Sequence, residues 1–276
     1  MSDRVTVAIE GGVADVRLNR PDKLNALDPA MFAALVEAAD ALASDRSVRV
    51  VVLSGEGRGF CAGLDISSFQ AMASVGDGGA GDGAGGGGPV VDLAARPEGR
   101  IANVAQQVAY AWTEMPAPVI AAVHGVALGG GLQIALGADM RIVAPDARLS
   151  VLEIRWGLLP DMTGPQTLPR LVGLDVAKEL TFTGRMVSGT EEAELGMATR
   201  VSDDPRAEAL VLAGEIAAKN PHAIRGAKEL LNQSGRRPLA ESLLEESRLM
   251  GGLIGTPNQV EATMAYLEGR KATFTD

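Results

Sequence analysis

Aromatic residues, cysteines and histidines are scarce in this sequence. Phe, Trp and Tyr make up 3% of the 276 residues, so aliphatic side chains must build the core and no aromatic platform for stacking on bases is expected. The one cysteine, Cys61, excludes an intrachain disulfide and is typical of a reducing compartment. The two histidines, His124 and His222, lie far apart without other residues at metal-ligand spacing, so no metal site is predicted.

Excess positive charge and long apolar runs are also lacking. The formal net charge is −10, which argues against nucleic acid as the main partner because such binding relies on Lys and Arg at the phosphates. No apolar run reaches the roughly 18 residues that span a bilayer, and the N-terminal "MSDRVTVAIEGG" lacks the basic-then-apolar layout of a signal peptide. We therefore expect a soluble, cytoplasmic protein with no nucleic-acid or membrane partner.

The first half of the sequence alternates between strand and helix patterns. Two short alternating runs flank Gly11 and Gly12, which predicts a β-hairpin. Asp28 followed by Pro29 predicts a helix start, and apolar residues at helical spacing continue the helix through Ala43. Short apolar runs at 48–55 and 117–123 predict strands that are covered on both faces, and residues 140–144 predict a further short strand. The pattern favours an α/β protein with a mostly parallel sheet.

The second half is mainly helical. Residues 206–270 have helical patterns almost throughout, interrupted at Pro221, Pro238 and Pro257. Between two of the predicted strands lies the run "GDGGAGDGAGGGG" (76–88), which is too poor in apolar residues to join a core and predicts a loop. It does not resemble a phosphate-binding loop, because no Lys-Ser or Lys-Thr follows the glycines.

Three consecutive glycines stand at the start of a predicted helix, in "VALGGGLQIALGADMR" (126–141). The first turn of a helix has unpaired N–H groups and partial positive charge, and glycine allows an anion or a developing oxyanion to approach them. Tight packing of the helix on a strand is the alternative explanation. A second turn of small residues, "GEGRGFCAGLDI" (55–66), also follows a predicted strand. Two such turns could hold one oxyanion between two N–H donors.

Five stretches, in this order, carry a resemblance to a known family. They are "PDKLNALD" (21–28), "GEGRGFCAGLDI" (55–66), "PVIAAVHGVALGGGLQIALGADMRI" (118–142), "LPRLVG" (168–173) and "LTFTGRMVSGTEEAELGMATRV" (180–201). The chain resembles the crotonase superfamily of enoyl-CoA hydratases and isomerases over nearly its whole length. This implies a crotonase (ClpP-like) fold, a stacked ββα superhelix, with the α/β core in 1–205 and a helical trimerisation region in 206–276. It also implies a homotrimer, or a hexamer of two trimers.

The resemblance assigns a site for an acyl-CoA thioester. It implies that the N–H groups of Leu64 and Gly130 form an oxyanion hole for the thioester oxygen, with Gly129 and Gly131 leaving room for its approach. Coenzyme A is then part of the substrate, and no separate cofactor is expected. The residues implied in binding the substrate and its coenzyme are Lys23, Leu24, Ala26, Ala62, Asp65, Ile66, Gly129 and Lys271. Arg270 is an alternative cation near the C-terminus.

The acidic residues limit which reaction of the family this chain could catalyse. The hydratases of the family use two glutamates, but the first position here is Gln133, which cannot ionise. The second is retained as Glu153, and Asp161 resembles an acid of the dienoyl-CoA isomerase branch, although that branch also has an acid where this chain has Gln133. Cys61 is interpreted as a packing residue rather than a nucleophile, because neither histidine is evidently its partner.

Three functions remain open on this basis. The first is isomerisation of an enoyl- or dienoyl-CoA with proton transfer by Glu153 and Asp161, because moving a double bond needs only proton removal and return. The second is hydration, with Gln133 positioning the water. The third, from another class, is a non-catalytic acyl-CoA-binding or RNA-binding protein of the same fold. A dinucleotide-binding oxidoreductase is disfavoured because the glycines lack the G-x-G-x-x-G spacing.

Overall fold

The computed structural model describes residues 3–65 and 94–276. The predicted loop at 76–88 and the candidate Ile66 lie outside the described residues. Within the described ranges, no helix is both long enough and apolar enough to cross a membrane.

Two sheets contain the strands of the described residues. The strands are β1 (Val5–Glu10), β2 (Val13–Leu18), β3 (Val50–Gly55), β4 (Val119–Val123), β5 (Val126–Leu128), β6 (Met140–Val143), β7 (Arg148–Ser150), β8 (Val187–Ser188) and β9 (Arg200–Val201). The larger sheet has the order β1-β2-β3-β4-β6-β9, and every pair in it except β1–β2 is parallel. The smaller sheet has the order β5-β7-β8, with β5 and β7 parallel. The mostly parallel sheet predicted from the sequence is therefore confirmed.

Ten α-helices lie in the described ranges. They are α1 (Pro29–Ser44), α2 (Val104–Glu114), α3 (Gly130–Gly137), α4 (Gly164–Val172), α5 (Leu174–Thr183), α6 (Gly189–Glu194), α7 (Pro205–Ala217), α8 (Pro221–Gln233), α9 (Leu239–Gly251) and α10 (Pro257–Glu268). Short 3-10 turns occupy Pro21–Lys23 and Glu153–Trp156.

The local signals for the first elements are confirmed. Gly11 and Gly12 have φ values of +57° and +81° in the turn between β1 and β2. The Asp28 side chain accepts a hydrogen bond from the Met31 N–H at 2.8 Å, and Pro29 is the first residue of α1. A cap of this kind satisfies one of the unpaired N–H groups of a helix start and is worth about 1 kcal/mol.

Helices cover both faces of the larger sheet. The main apolar core includes buried residues of α1, α2 and α3, with Trp112 and Phe60 as its largest fully buried side chains. On the other face, the small residues Ala209, Ala213 and Ala217 of α7 pack against strand residues such as Val52 and Ile120. The helical part of the chain thus begins with a helix that covers the sheet. The boundary at residue 205 and the trimerisation role of 206–276 stay predictions.

A buried glutamate and a buried arginine lie near the far edge of this sheet. Glu192 of α6 is fully buried, and neither of its carboxylate oxygens has a hydrogen-bond partner among the residues that the structure describes. Burial raises the pKa of Glu192 to about 7, and the positive charge of the buried Arg141 opposes the rise. The Arg141 guanidinium itself donates to the carbonyl oxygens of Met197 and Ala138.

We expect this carboxyl group to make the protein less stable as the pH rises. The folded state binds the Glu192 proton more tightly than the unfolded state does, so the stabilisation is present near pH 4.5 and is lost as the pH passes about 7. Glu192→Gln should therefore reduce the difference in free energy of unfolding between pH 5 and pH 8, by roughly 2 to 3 kcal/mol. Urea unfolding at the two pH values measures it, and an unchanged difference would contradict the prediction.

Candidate functional site

Segment 61–65, which follows strand β3 of the larger sheet, pairs with strand β5 of the smaller sheet beside the glycine triplet 129–131. The Cys61 N–H donates to the Val126 oxygen at 2.9 Å, and the Leu128 N–H donates to the Cys61 oxygen at 3.0 Å. On the other side, the Leu27 N–H donates to the Gly63 oxygen at 2.8 Å. Segment 61–65 therefore lies between segment 24–27 and β5, and β5 leads directly into the start of α3.

The N–H groups of Leu64 and Gly130 have no hydrogen-bond acceptor among the residues that the structure describes. Leu27 and Leu64 form a parallel bridge in which Leu27 bonds to the residues on either side of Leu64, so the Leu64 N–H points away from Leu27. Gly130 is the first residue of α3, where the N–H has no acceptor within the helix. Over residues 3–65 and 94–276, neither N–H donates a hydrogen bond to another group. A Cβ atom on Gly63 would lie 3.7 Å from the Gly130 nitrogen, so the two segments are in contact.

At each of the three positions 129–131, a different feature of the structure accounts for the glycine. Gly129 has φ +51° and ψ −121°, which side chains rarely tolerate, and an added Cβ atom would lie 3.2 Å from Oε1 of Glu153. Gly130 remains partly accessible, as an approaching anion requires. At Gly131 an added Cβ atom would lie 2.8 Å from the Cβ of Cys61 and closer still to its backbone. Tight packing of α3 on segment 61–65 therefore gives a structural reason for Gly131, and the access for the thioester expected there stays a prediction.

Glu153, Gln133 and the Asp161 loop meet beside the glycines. Nε2 of Gln133 donates to Oε1 of Glu153 at 2.6 Å. Oε1 of Gln133 accepts from the N–H groups of Met162 and Gly164, each at 2.9 Å. The other Glu153 oxygen, Oε2, is buried and has no hydrogen-bond partner among the described residues. The structure thus brings together all three residues that the sequence analysis placed in catalysis.

Both carboxyl groups have raised pKa values. Burial raises the pKa of Glu153, and the nearby negative charge of Asp161 adds to the rise. Hydrogen bonds from its own backbone N–H and from the Gln133 amide oppose it. Burial also raises the pKa of Asp161, against a hydrogen bond from its own backbone N–H. Two partly buried carboxyl groups with raised pKa values are suited to accepting and returning protons in acid–base catalysis.

Comparisons with known proteins are consistent with this arrangement. A sequence profile described as "Enoyl-CoA hydratase/isomerase" matches residues 13–274. A probable enoyl-CoA hydratase from Rhizobium meliloti is 36% identical over 274 residues, which cover 99% of this chain and 98% of the relative. The chain belongs to the enoyl-CoA hydratase/isomerase family.

Other members of the enoyl-CoA hydratase/isomerase family extend the comparison. The mitochondrial methylglutaconyl-CoA hydratase of Mus musculus is 33% identical, over 95% of this chain and 79% of the relative. The crystal structure of an enoyl-CoA hydratase from Bacillus anthracis superposes with a TM-score of 0.85 at 30% identity and covers 98% of each chain. These matches confirm the membership of the crotonase superfamily and the crotonase fold that the five sequence stretches predicted.

In this chain, Arg20 joins the two segments that are predicted to bind the coenzyme. The sequence analysis did not identify this residue. Nη1 of Arg20 lies 2.5 Å from Oδ2 of Asp65 and 3.1 Å from the oxygen of Ala26. Its Nε lies 3.6 Å from Oδ2 of Asp28. Arg20 and Asp65 are 45 positions apart, and no local pattern marks such a pair.

The remaining coenzyme candidates differ in accessibility. Leu24, with φ +49°, and Ala62 are half-buried, Ala26 is buried and Lys23 is exposed. Leu24, Ala26 and Ala62 lie on the adjacent segments 24–27 and 61–65, and Lys23 directly precedes the first of these segments. Their role in binding the coenzyme stays a prediction.

The C-terminal candidates are placed differently. Lys271 is exposed, and its side chain has no recorded contact with the other candidates within the described residues. The chain end beyond it is held by an ion pair of 2.9 Å between Arg49 and Asp276. Arg49 precedes β3, whereas the site follows it. Arg270 pairs with Glu261 and Glu268 of its own chain.

The cysteine is buried, and the two histidines lie in different surroundings. Cys61 is completely buried, its Sγ donates to the Asn25 oxygen at 3.1 Å, and burial raises the pKa of its thiol to about 12. A thiol in this state is not a nucleophile at neutral pH, so the packing interpretation is confirmed. His124 Nε2 lies 3.0 Å from the Gly57 oxygen, and His222 is exposed. The described residues contain no group of three or more His, Cys, Asp or Glu arranged to hold a metal ion.

Proposed function

We propose that this enzyme isomerises the double bond of an enoyl- or dienoyl-CoA. The observation that carries the proposal is the hydrogen bonding of Gln133. Its neutral amide cannot take a proton from an attacking water, and its oxygen already accepts two backbone N–H groups, so no free acceptor remains there to orient that water. Glu153, in contrast, has one buried oxygen without a partner among the described residues. One free carboxylate oxygen is enough to move a proton. The position of the glutamate that would activate water in the hydratases of the family is taken here by Gln133, which cannot act as a base.

The proposed reaction is a proton shift. Oε2 of Glu153 removes a proton from the carbon next to the thioester carbonyl, and the electrons of that bond move into an enolate. The N–H groups of Leu64 and Gly130 stabilise the negative oxygen, each donor contributing about 3 kcal/mol. The proton returns at a carbon further along the chain, with Asp161 assisting, and the double bond moves. The thioester stays intact, and water is neither consumed nor released.

The coenzyme is proposed to follow the segments that hold the oxyanion site. Lys23, Leu24, Ala26, Ala62, Asp65, Ile66 and Gly129 would contact it, and no cofactor other than the coenzyme A of the substrate is required. Lys271 would then act on a neighbouring subunit of a trimer or hexamer. Support comes from the large apolar side chains that α8, α9 and α10 leave exposed, among them Leu231, Leu239, Leu244, Tyr266 and Leu267.

Hydration is the second candidate. It is favoured by the names of the relatives, which include a probable enoyl-CoA hydratase at 36% identity. Because the Gln133 oxygen is occupied, Gln133 could orient a water only as a donor. Glu153 and Asp161 would then have to divide the acid and base roles between them.

A set of acyl-CoA thioesters separates these functions. We expect 3-enoyl- or dienoyl-CoA substrates to give products of unchanged mass in which nuclear magnetic resonance shows a moved double bond. Crotonyl-CoA should keep its enoyl absorbance. Loss of that absorbance with a mass gain of one water would establish hydration instead. Binding of the thioesters without conversion of any of them would favour the non-catalytic alternative.

A further inference from the structure

Gln133 is almost completely buried and joins two parts of the site. It is 2% exposed and lies on α3, two residues after the last of the three glycines. Its amide orientation is set by its partners, because the two N–H groups of Met162 and Gly164 require an oxygen opposite them. The NH₂ group is thereby turned towards Glu153, to which it donates at 2.6 Å.

The two oxygens of Glu153 therefore have different surroundings. Oε1 accepts the Gln133 hydrogen bond and lies against Gly129, where an added Cβ atom would be only 3.2 Å away. Oε2 has no hydrogen-bond partner in the described part of the chain, although it is buried. A buried polar atom without a partner is costly in free energy, and Oε2 is the Glu153 oxygen that is left free to meet a substrate atom.

We propose that Gln133 is a positioning residue that holds Oε1 of Glu153, so that Oε2 alone exchanges the proton with the substrate. The same amide holds the backbone immediately after Asp161, so the two carboxyl groups keep a fixed relation to each other. This proposal rests on the proposed role of Glu153 as the proton-transferring group. It gives Gln133 a function that requires neither ionisation nor a bound water.

A neutral amide suits this role better than a second acid does. The Gln133 hydrogen bond favours the ionised form of Glu153, whereas burial and the charge of Asp161 favour the protonated form. A carboxyl group at position 133 would still accept the N–H groups of Met162 and Gly164. On ionisation, however, it would place a second negative charge at hydrogen-bond distance from Oε1 and raise the pKa of Glu153 further.

The test uses two variants and a matched control. Gln133→Met removes the donor and the acceptor at similar volume, and Gln133→Glu removes the donor but keeps an acceptor for the two N–H groups. Gln107→Met is the control, because Gln107 is also 2% exposed and donates to a glutamate, Glu114, at 3.0 Å on α2. The carboxyl carbons of ¹³C-labelled glutamate are titrated by nuclear magnetic resonance, and kcat is measured against pH.

Both Gln133 variants should raise the pKa of Glu153 and move the acid limb of the kcat profile to higher pH. At neutral pH, kcat should fall about tenfold or more, the range expected for one hydrogen bond to a charged group, while KM changes much less. Gln107→Met should leave the titration and the profile unchanged. An unshifted Glu153 titration in a folded Gln133→Glu protein overturns the proposal. A shifted titration in a protein that never isomerises an enoyl-CoA would refute the proposed function alone, since the titration needs no turnover.

Discussion

Replacing Glu153 by Gln is expected to lower the turnover of an enoyl-CoA isomer about a thousandfold, the scale of a lost general base, while acyl-CoA binding stays nearly unchanged. The amide has the same shape as the carboxyl group, and its oxygen can still accept the 2.6 Å hydrogen bond from Gln133. It cannot take up a proton at Oε2. The loss should therefore appear in kcat and not in the dissociation constant of a non-reacting acyl-CoA.

Three further measurements make this result specific. Glu153→Asp keeps the acid but withdraws it from the substrate, so its activity should lie between those of the wild type and Glu153→Gln. Glu114→Gln, on α2 away from the site, controls for the loss of one negative charge. In the wild type, the acid limb of the kcat profile should show a pKa above that of an ordinary glutamate. The reason is that burial raises the pKa of Glu153 and only its ionised form accepts the proton. Unchanged turnover in Glu153→Gln would remove Glu153 from the mechanism.

The elements that the sequence predicted well are those with local signals. The β1–β2 hairpin depends on two adjacent glycines, and α1 depends on a cap and a proline that are next to each other in sequence. The smaller sheet was not predicted, because β5 and β7 have three residues each and β8 has two. Strands of that length show no alternation, and they form only because the neighbouring segments supply their hydrogen-bond partners.

The site was predicted as a set of residues but not as a network. The resemblance named Gln133, Glu153 and Asp161, whereas composition and spacing alone would have left Glu153 as an ordinary surface acid. That Gln133 bonds to positions 153, 162 and 164 is a property of the folded chain, because α3 and the Asp161 loop meet only in three dimensions. Likewise, the close packing that leaves no room for a side chain at position 131 comes from the contact of α3 with Cys61 in the folded chain.

The oxyanion site can be tested at Gly63, the residue before Leu64. Gly63 has φ +83°, and an added Cβ atom would lie 2.5 Å from the Leu128 oxygen and 3.7 Å from the Gly130 nitrogen. Because the first of these contacts is with backbone, Gly63→Ala must move segment 61–65 relative to the end of β5. The Leu64 N–H then shifts against the Gly130 N–H. Since one oxyanion donor is worth about 10²- to 10³-fold in kcat, we expect a loss of that size, with kcat and kcat/KM falling together.

Gly12→Ala separates this effect from the general cost of a left-handed residue. Gly12 has φ +81°, nearly the value at Gly63, but its added Cβ atom would meet only the flexible side chain of Arg49, at 3.1 Å, in the β1–β2 turn. Both variants should lose about 1 kcal/mol or more of stability from the strained backbone, measured by urea unfolding, with the larger loss at Gly63. Only Gly63→Ala should lose turnover. A side chain at position 63 that presses on the Leu128 oxygen must change the relative position of the Leu64 and Gly130 N–H groups. If folded Gly63→Ala turns over like the wild type, these two N–H groups therefore do not act together on the thioester oxygen.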